Sequence, residues 1–154
     1  MTWTDFKHQY DAQGREKADG YSASHFDGMT EDERSLARTM MLDRALNGDT
    51  IDLNGLGYIG NADTVAALCA AAVQIAGLGW RHDILRHEVL FKLTGEPHYL
   101  TDLARYLDQP DRASQENAAS VLTWYVLPRD IEPFLLERIC DGRHDPAILP
   151  LLQA

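Results

Sequence analysis

The chain has 154 residues, 45% of them hydrophobic and 25% charged. That is ordinary globular composition with enough length for one domain and a sizeable core, and it excludes a disordered tail or a fibre. Its 24 acidic and 14 basic side chains leave a net charge of −10, with the acidic excess present in every third of the chain and no basic cluster anywhere. Phosphate backbones and anionic membrane surfaces are gripped by clustered Lys and Arg, so no nucleic acid and no membrane is expected as a partner; a basic protein is.

The first residues, Met1-Thr-Trp-Thr-Asp-Phe-Lys-His, lack the basic start and apolar run of a secretory signal. No stretch approaches the roughly 20 apolar residues of a membrane span, and the longest, Val65 to Leu78, reads as a core helix. Cys69 and Cys140 lie in apolar helical surroundings without C-x-x-C spacing. They read as buried free thiols of a cytoplasmic protein.

Alternating β-branched runs are scarce, whereas helix start and stop residues recur every dozen or so positions, so the fold class is all-α with about eight or nine helices. A first helix is expected from Thr2 or Thr4 to about Lys17, followed by a loop from Tyr21 to Gly28. Thr30-Glu31-Asp32-Glu33 is a capping box that opens a helix carrying Leu36, Met40, Met41, Leu42, Ala45 and Leu46 on an apolar arc and stopping at Asn47-Gly48. Thr50 to Ile59 is short. Asn61 caps a helix to about Ala76 with Val65, Leu68, Cys69, Ala72 and Val73 on one face. Arg81 to Leu93, Pro97 to Leu107 and Asp111 to Tyr125 follow, then Ile131 to Cys140 capped by Asp130, and a final fragment after Pro146.

The breaks at Ile59-Gly60, Thr94-Gly95 and Leu127-Pro128 lie 35 and 33 residues apart. Each is flanked by apolar pairs at helical spacing, such as Leu56/Ile59 before the first and Val65/Leu68 after it. This is the pattern of a helical-hairpin array whose units bury their apolar faces against one another. Within it, Gly55-Leu-Gly-Tyr-Ile-Gly-Asn-Ala-Asp-Thr-Val-Ala-Ala-Leu and Arg86-His-Glu-Val-Leu-Phe-Lys-Leu-Thr-Gly-Glu-Pro resemble the short bacterial HEAT repeats of the phycobilisome-lyase-like type. The likeness covers roughly residues 30 to 141 and implies a HEAT-like α-solenoid of stacked hairpins. The whole chain is then one domain, with 1–29 as an N-terminal helix and loop and 142–154 as a cap. The third unit departs from the pattern, with Trp124-Tyr125-Val126-Leu127-Pro128 where a glycine turn is usual. Together with Tyr21-Ser-Ala-Ser-His-Phe and the capping-box helix, the chain also resembles small HEAT-type immunity proteins that bacteria make against polymorphic toxins.

Catalytic patterns are thin. His87-Glu88 is similar to the His-Glu dipeptides with which HEAT-repeat di-iron hydroxylases hold metal, but such sites need several dipeptides and this chain has one. No metal and no cofactor is expected. Asp83 and His87 share a helix face as an i,i+4 pair, and no nucleophile accompanies them. Gly55-x-Gly57-x-x-Gly60 matches a nucleotide-binding fingerprint in letters only, because that fingerprint requires a preceding strand. The chain therefore reads as a non-enzyme.

What remains is a binding surface. Polar positions of the second helices of successive hairpins should line one groove, and here they are acidic with interleaved aromatics: Tyr99, Asp102, Tyr106, Asp108, Glu132, Glu137 and Asp141 are the candidate partner-binding residues. Trp124 and Phe134 read as core. The resemblance implies an immunity protein that blocks a cognate basic toxin, possible nuclease activity of that toxin included; the alternative is a HEAT-type adaptor or chaperone for another cytoplasmic protein.

Overall fold

A computed structural model describes residues 3–127 together with Arg129, Ile131, Pro133 and Glu137. Its elements are α1 (Trp3–Asp11), α2 (Gly14–Ala18), a 3-10 turn (Ala23–His25), α3 (Glu31–Leu46), α4 (Thr50–Ile59), α5 (Ala62–Ala70), α6 (Ala72–Gly77), α7 (Trp80–Thr94), α8 (His98–Ala104) with a 3-10 extension (Arg105–Asp108), and α9 (Arg112–Leu122). Among the described residues there are nine α-helices and no strand, as the spacing of start and stop signals predicts. The expected helix from Ile131 to Cys140 and the segment after it lie largely outside the described residues.

Four helix starts are built by the side chains that the sequence singles out or by their immediate neighbours. The Glu33 amide donates to Thr30 Oγ1 at 3.3 Å while the Thr30 amide donates to Glu33 Oε2 at 2.7 Å, closing the capping box of α3. Asp49 accepts from the amides of Ile51 and Asp52 at the head of α4, Asn61 from that of Thr64 at the head of α5, and Asp111 from that of Ser114 at the head of α9. Each cap satisfies donors that a helix start otherwise leaves to solvent.

Backbone contacts group the chain into two units, Met1–Thr94 and Gly95–Ala154. In the first, α3 packs on α4, α4 on α7, and α5 and α6 against α7. Its core is formed by Phe6, Tyr21 and Phe26 from the N-terminal segment and by Met41, Leu53, Leu56, Leu68, Ile75, Ile84 and Leu90 from the helices. In the second, α8 and its extension pack on α9 around Leu100, Leu103, Leu107, Ala118, Ala119 and Leu122.

Several expectations are corrected. The N-terminal helix is two pieces, because Gly14 takes a φ of +59° and Gln9 folds across the break to donate to the carbonyls of Glu16 and Lys17 at 3.2 and 3.3 Å. The helix expected from Ala62 to Ala76 is interrupted at Ala71, whose φ of −87° and ψ of 9° lie outside helical values. Leu68 and Ile75 are buried while Cys69 is exposed and Val73 is 88% exposed, so neither belongs to the inward face assigned to it. Leu36 of α3 likewise faces solvent, leaving Ala37, Met41 and Ala45 as the buried stripe. Finally, α9 stops at Leu122, and Trp124, read as core, is 80% exposed.

Candidate functional site

The candidate surface can be followed on α8. Leu100, Leu103, Ala104 and Leu107 are buried, which turns the opposite side of the helix outward. Tyr99, Asp102 and Tyr106, at i, i+3 and i+7, are half-buried, and Asp108 beyond them is exposed. Asp102 holds Arg105 at 2.9 Å across one turn of surface helix, with the arginine mostly in solvent. Glu137 is exposed. Glu132 and Asp141, together with Phe134, lie outside the described residues, so α8 and its extension carry four of the seven expected residues. Trp124 and Val126, 80% and 95% exposed, add large apolar side chains to the surface of the same unit.

A second polar cluster, which sequence reasoning missed, is internal. Asp52 of α4 has no solvent exposure. Its Oδ1 accepts from the Tyr21 hydroxyl at 2.6 Å and its Oδ2 from Lys17 Nζ at 2.9 Å. The same ammonium lies 3.1 Å from Asp49, and Arg44 Nη1 of α3 lies 3.8 Å from Asp52. Arg44 also stacks on the Tyr10 ring, its guanidinium carbon 3.4 Å from the centroid, and donates to the Tyr10 carbonyl. Two cations and two carboxylates from α2, α3 and α4 thus compensate one another around one buried point.

Burial pushes the Asp52 carboxyl above the ordinary carboxylate range, against the pull of its hydrogen bonds from Tyr21 and Lys17. Burial would raise Asp49 too, but the Asp52 amide and the Lys17 ammonium hold it below that range. Burial and then the hydrogen bond to Asp52 raise the Tyr21 phenol far above its usual value, so it serves as a neutral donor. With its lone pairs committed to donors from two other segments, Asp52 ties the N-terminal segment to the helices and is poorly placed for proton transfer to a substrate. The sequence signal was present in one respect: Asp52 stands between Ile51 and Leu53 in a helix with no other charged residue, where a buried carboxylate needs internal partners.

A smaller cluster lies within α7. Arg86 donates through Nε and Nη2 to Asp83 Oδ1 at 2.9 and 2.8 Å, and through Nη2 to His87 Nε2 at 3.0 Å; all three residues are buried. The Asp83/His87 pair read from the sequence is therefore a triad with Arg86 between its members. Glu88 turns instead to Lys92 at 3.0 Å. Among the described residues no three His, Cys, Asp or Glu side chains converge as a metal site.

The Gly55-x-Gly57-x-x-Gly60 pattern has a packing explanation. A Cβ at Gly55 would stand 2.2 Å from Met41 Cε and 2.6 Å from Tyr21 Cδ2, and one at Gly60 would stand 2.7 Å from Leu93 Cδ1. At Gly57 the nearest neighbour is the flexible Lys92 side chain at 3.2 Å. These glycines let neighbouring side chains approach the α4 backbone, and none follows a strand. Comparison with protein-family models, with curated proteins and with solved structures returns no match to the chain.

Proposed function

We propose that the chain is a non-catalytic, cytoplasmic protein-binding module: an immunity protein that neutralises a basic bacterial toxin through an acidic, aromatic-bearing helix face. The observation that carries this reading is the outward stripe of α8 and its extension, where Tyr99, Asp102 and Tyr106 share one side while the leucines of the other side are buried. Aromatic rings with one polar end, set among carboxylates, suit a cationic protein surface: the rings fill pockets and the carboxylates steer the approach. The exposure of Trp124 supports the same reading, since an indole is costly to leave in water and is the residue type most enriched at the centres of interfaces.

The HEAT-like solenoid belongs to this proposal as its scaffold. It is supported by the packing of α4 on α7, with α5 and α6 lying against α7. The internal compensation of the Asp52 cluster supports a non-catalytic role, because it tethers the N-terminal segment and α3 to α4. The test is purification of the protein from its native host with bound partner, mass identification of that partner, and association kinetics at two salt concentrations. Association should be fast, slow as salt rises, and slow again with Asp102→Lys, while Tyr106→Ala should mainly speed dissociation, each by roughly 1 to 3 kcal/mol if it sits at a hot spot. A partner that is acidic, or kinetics indifferent to both salt and Asp102→Lys, would overturn the reading.

A further inference from the structure

Residues Gly14 to Gly28 lie over α3 and α4 as a clip. Gly14, Gly20 and Gly28 hold left-handed φ values of +59°, +72° and +77°, so both ends of the clip and its middle turn at residues that take this conformation without steric cost. Between them only Tyr21 and Phe26 are buried, and α2 buries no residue at all. The closest backbone packing of α2 is with α1 rather than with α3 or α4. Toward α3 and α4 the clip is fixed by Lys17 on Asp49 and Asp52, by the Tyr21 hydroxyl on Asp52, by Phe26 stacked 6.4 Å from Tyr58, and by Arg34, which donates to the Phe26 carbonyl at 2.8 Å. Beneath it α4 offers a slot. The Tyr21 ring rests on bare backbone at Gly55, where a Cβ would come within 2.6 Å of it, and Met41 of α3 closes on the same point. At the end of the ring Asp52 takes the hydroxyl, and it shares the Lys17 ammonium with Asp49.

We infer that this slot is a closed binding site for a peptide segment carrying a lysine or arginine and, four residues later, a tyrosine, with residues 14–28 as its built-in occupant. The seated pair, Lys17 and Tyr21, defines that ligand. Asp52 has no solvent exposure and needs a donor on each oxygen, which an acidic or purely aliphatic segment does not bring. The surface over Gly55 admits a flat ring because no side chain stands on it. Lifting the clip uncovers two aromatic rings and leaves Met41, Leu53, Leu56, Leu68, Ile84 and Leu90 packed, so it is a local opening rather than loss of the core. Arg44, 3.8 Å from Asp52, stays behind on α3 and keeps the uncovered carboxylate partly balanced. The clip competes as an intramolecular ligand at an effective concentration of about millimolar, so an outside segment enters only by matching the same pair. The site is thus autoinhibited. It shares no residue with the α8 stripe and does not depend on the immunity reading.

The probe is a fluorescein-labelled synthetic peptide copying Arg15 to Asp27, titrated by anisotropy against the full chain. The wild type should bind it weakly, because its own clip competes. Lys17→Met loosens the clip and should bind the peptide about tenfold or more tightly. Tyr21→Phe, which keeps the ring packing, should act in the same direction. Adding Asp52→Asn to Lys17→Met should remove the gain, as should a peptide carrying Lys17→Glu or Tyr21→Ala. Hydrogen exchange read by mass spectrometry should show residues 14–28 opening faster in Lys17→Met while α3, α4 and α7 keep their wild-type protection. Circular dichroism identifies which variants remain folded. Folded Lys17→Met or Tyr21→Phe chains that ignore the peptide overturn the inference, as does binding indifferent to Asp52→Asn, or exchange of residues 14–28 that changes only in step with α3 and α4.

Discussion

Helices α1 to α4 and the pair α8–α9 dispose of their charges in opposite ways. The first region draws Asp52 wholly inward onto a Tyr21 hydroxyl and the largely buried Lys17, with Asp49 and Arg44 at the half-buried edge, whereas the second keeps Arg105 and Asp108 in solvent with Asp102 half-buried and fills its interior with leucine and alanine. A buried ion must find its partners inside the molecule, so its chemistry is spent on cohesion. A solvated ion makes at most a loose pair and remains available to steer an incoming surface.

That contrast can be broken at several points. The largest effect is expected from Asp52→Ala, which leaves the largely buried Lys17 ammonium with only Asp49 to balance it and the Tyr21 hydroxyl without its acceptor. Chemical denaturation should show a loss of about 3 to 5 kcal/mol. Gly55→Ala should cost about 1 to 3 kcal/mol through overpacking against Met41 and the Tyr21 ring, partly offset by the better helix propensity of alanine, and thermal melts would register it. Tyr21→Phe keeps the ring packing but removes the donor to Asp52 Oδ1, with about 1 to 3 kcal/mol expected in denaturation.

The pH dependence sharpens the comparison because the two carboxyls of the buried cluster act with opposite sign. Asp49 is lowered from its ordinary value of 3.8, so its contribution to stability is full above that value and disappears as pH falls through the lowered one. Asp52 is raised from the same ordinary value, so its contribution is full below it and is lost as pH rises through the raised one. Urea midpoints taken from acid to neutral pH should therefore fall less steeply toward acid in Asp49→Asn than in the wild type. In Asp52→Asn the decline on the rising side should vanish. The smallest effect is expected on α8, where Asp102→Lys should leave stability within about 1 kcal/mol because the group is half-exposed and its ion pair is with a mostly solvated arginine.

Much of the helical order was legible because it is local. Capping residues such as Thr30, Asn61 and Asp111 act within three positions of themselves, and their chemistry survives translation from string to structure. The break at Ala71 was not legible, because alanine is the strongest helix former and nothing in the string marks the interruption. Cys69 and Val73 were placed inward on their apolar character, whereas Thr64, Leu68 and Ile75 form the buried line. The buried cluster was missed for a different reason. Its members lie at 10, 17, 21, 44, 49 and 52, and only tertiary packing brings them together; the one local sign was a carboxylate amid Ile51 and Leu53. On α8, by contrast, helical spacing alone sorted Tyr99, Asp102 and Tyr106 from the buried leucines, since solvent and core select between faces by period.

The glycines of α4 have a consequence for how this chain can vary. Most helices hold their neighbours at a distance set by side chains, and those can yield by changing rotamer. At Gly55 and Gly60 the side chains of Met41, Tyr21 and Leu93 rest almost directly on peptide backbone, which has no rotamer to change. The separation of α3 and α7 is consequently gauged by the thickness of a bare helix. Sequence drift along α4 is confined accordingly: a methyl group added at Gly55 has to be met by a shift of Met41 or of the Tyr21 ring, both packed in the core, before it can be accommodated.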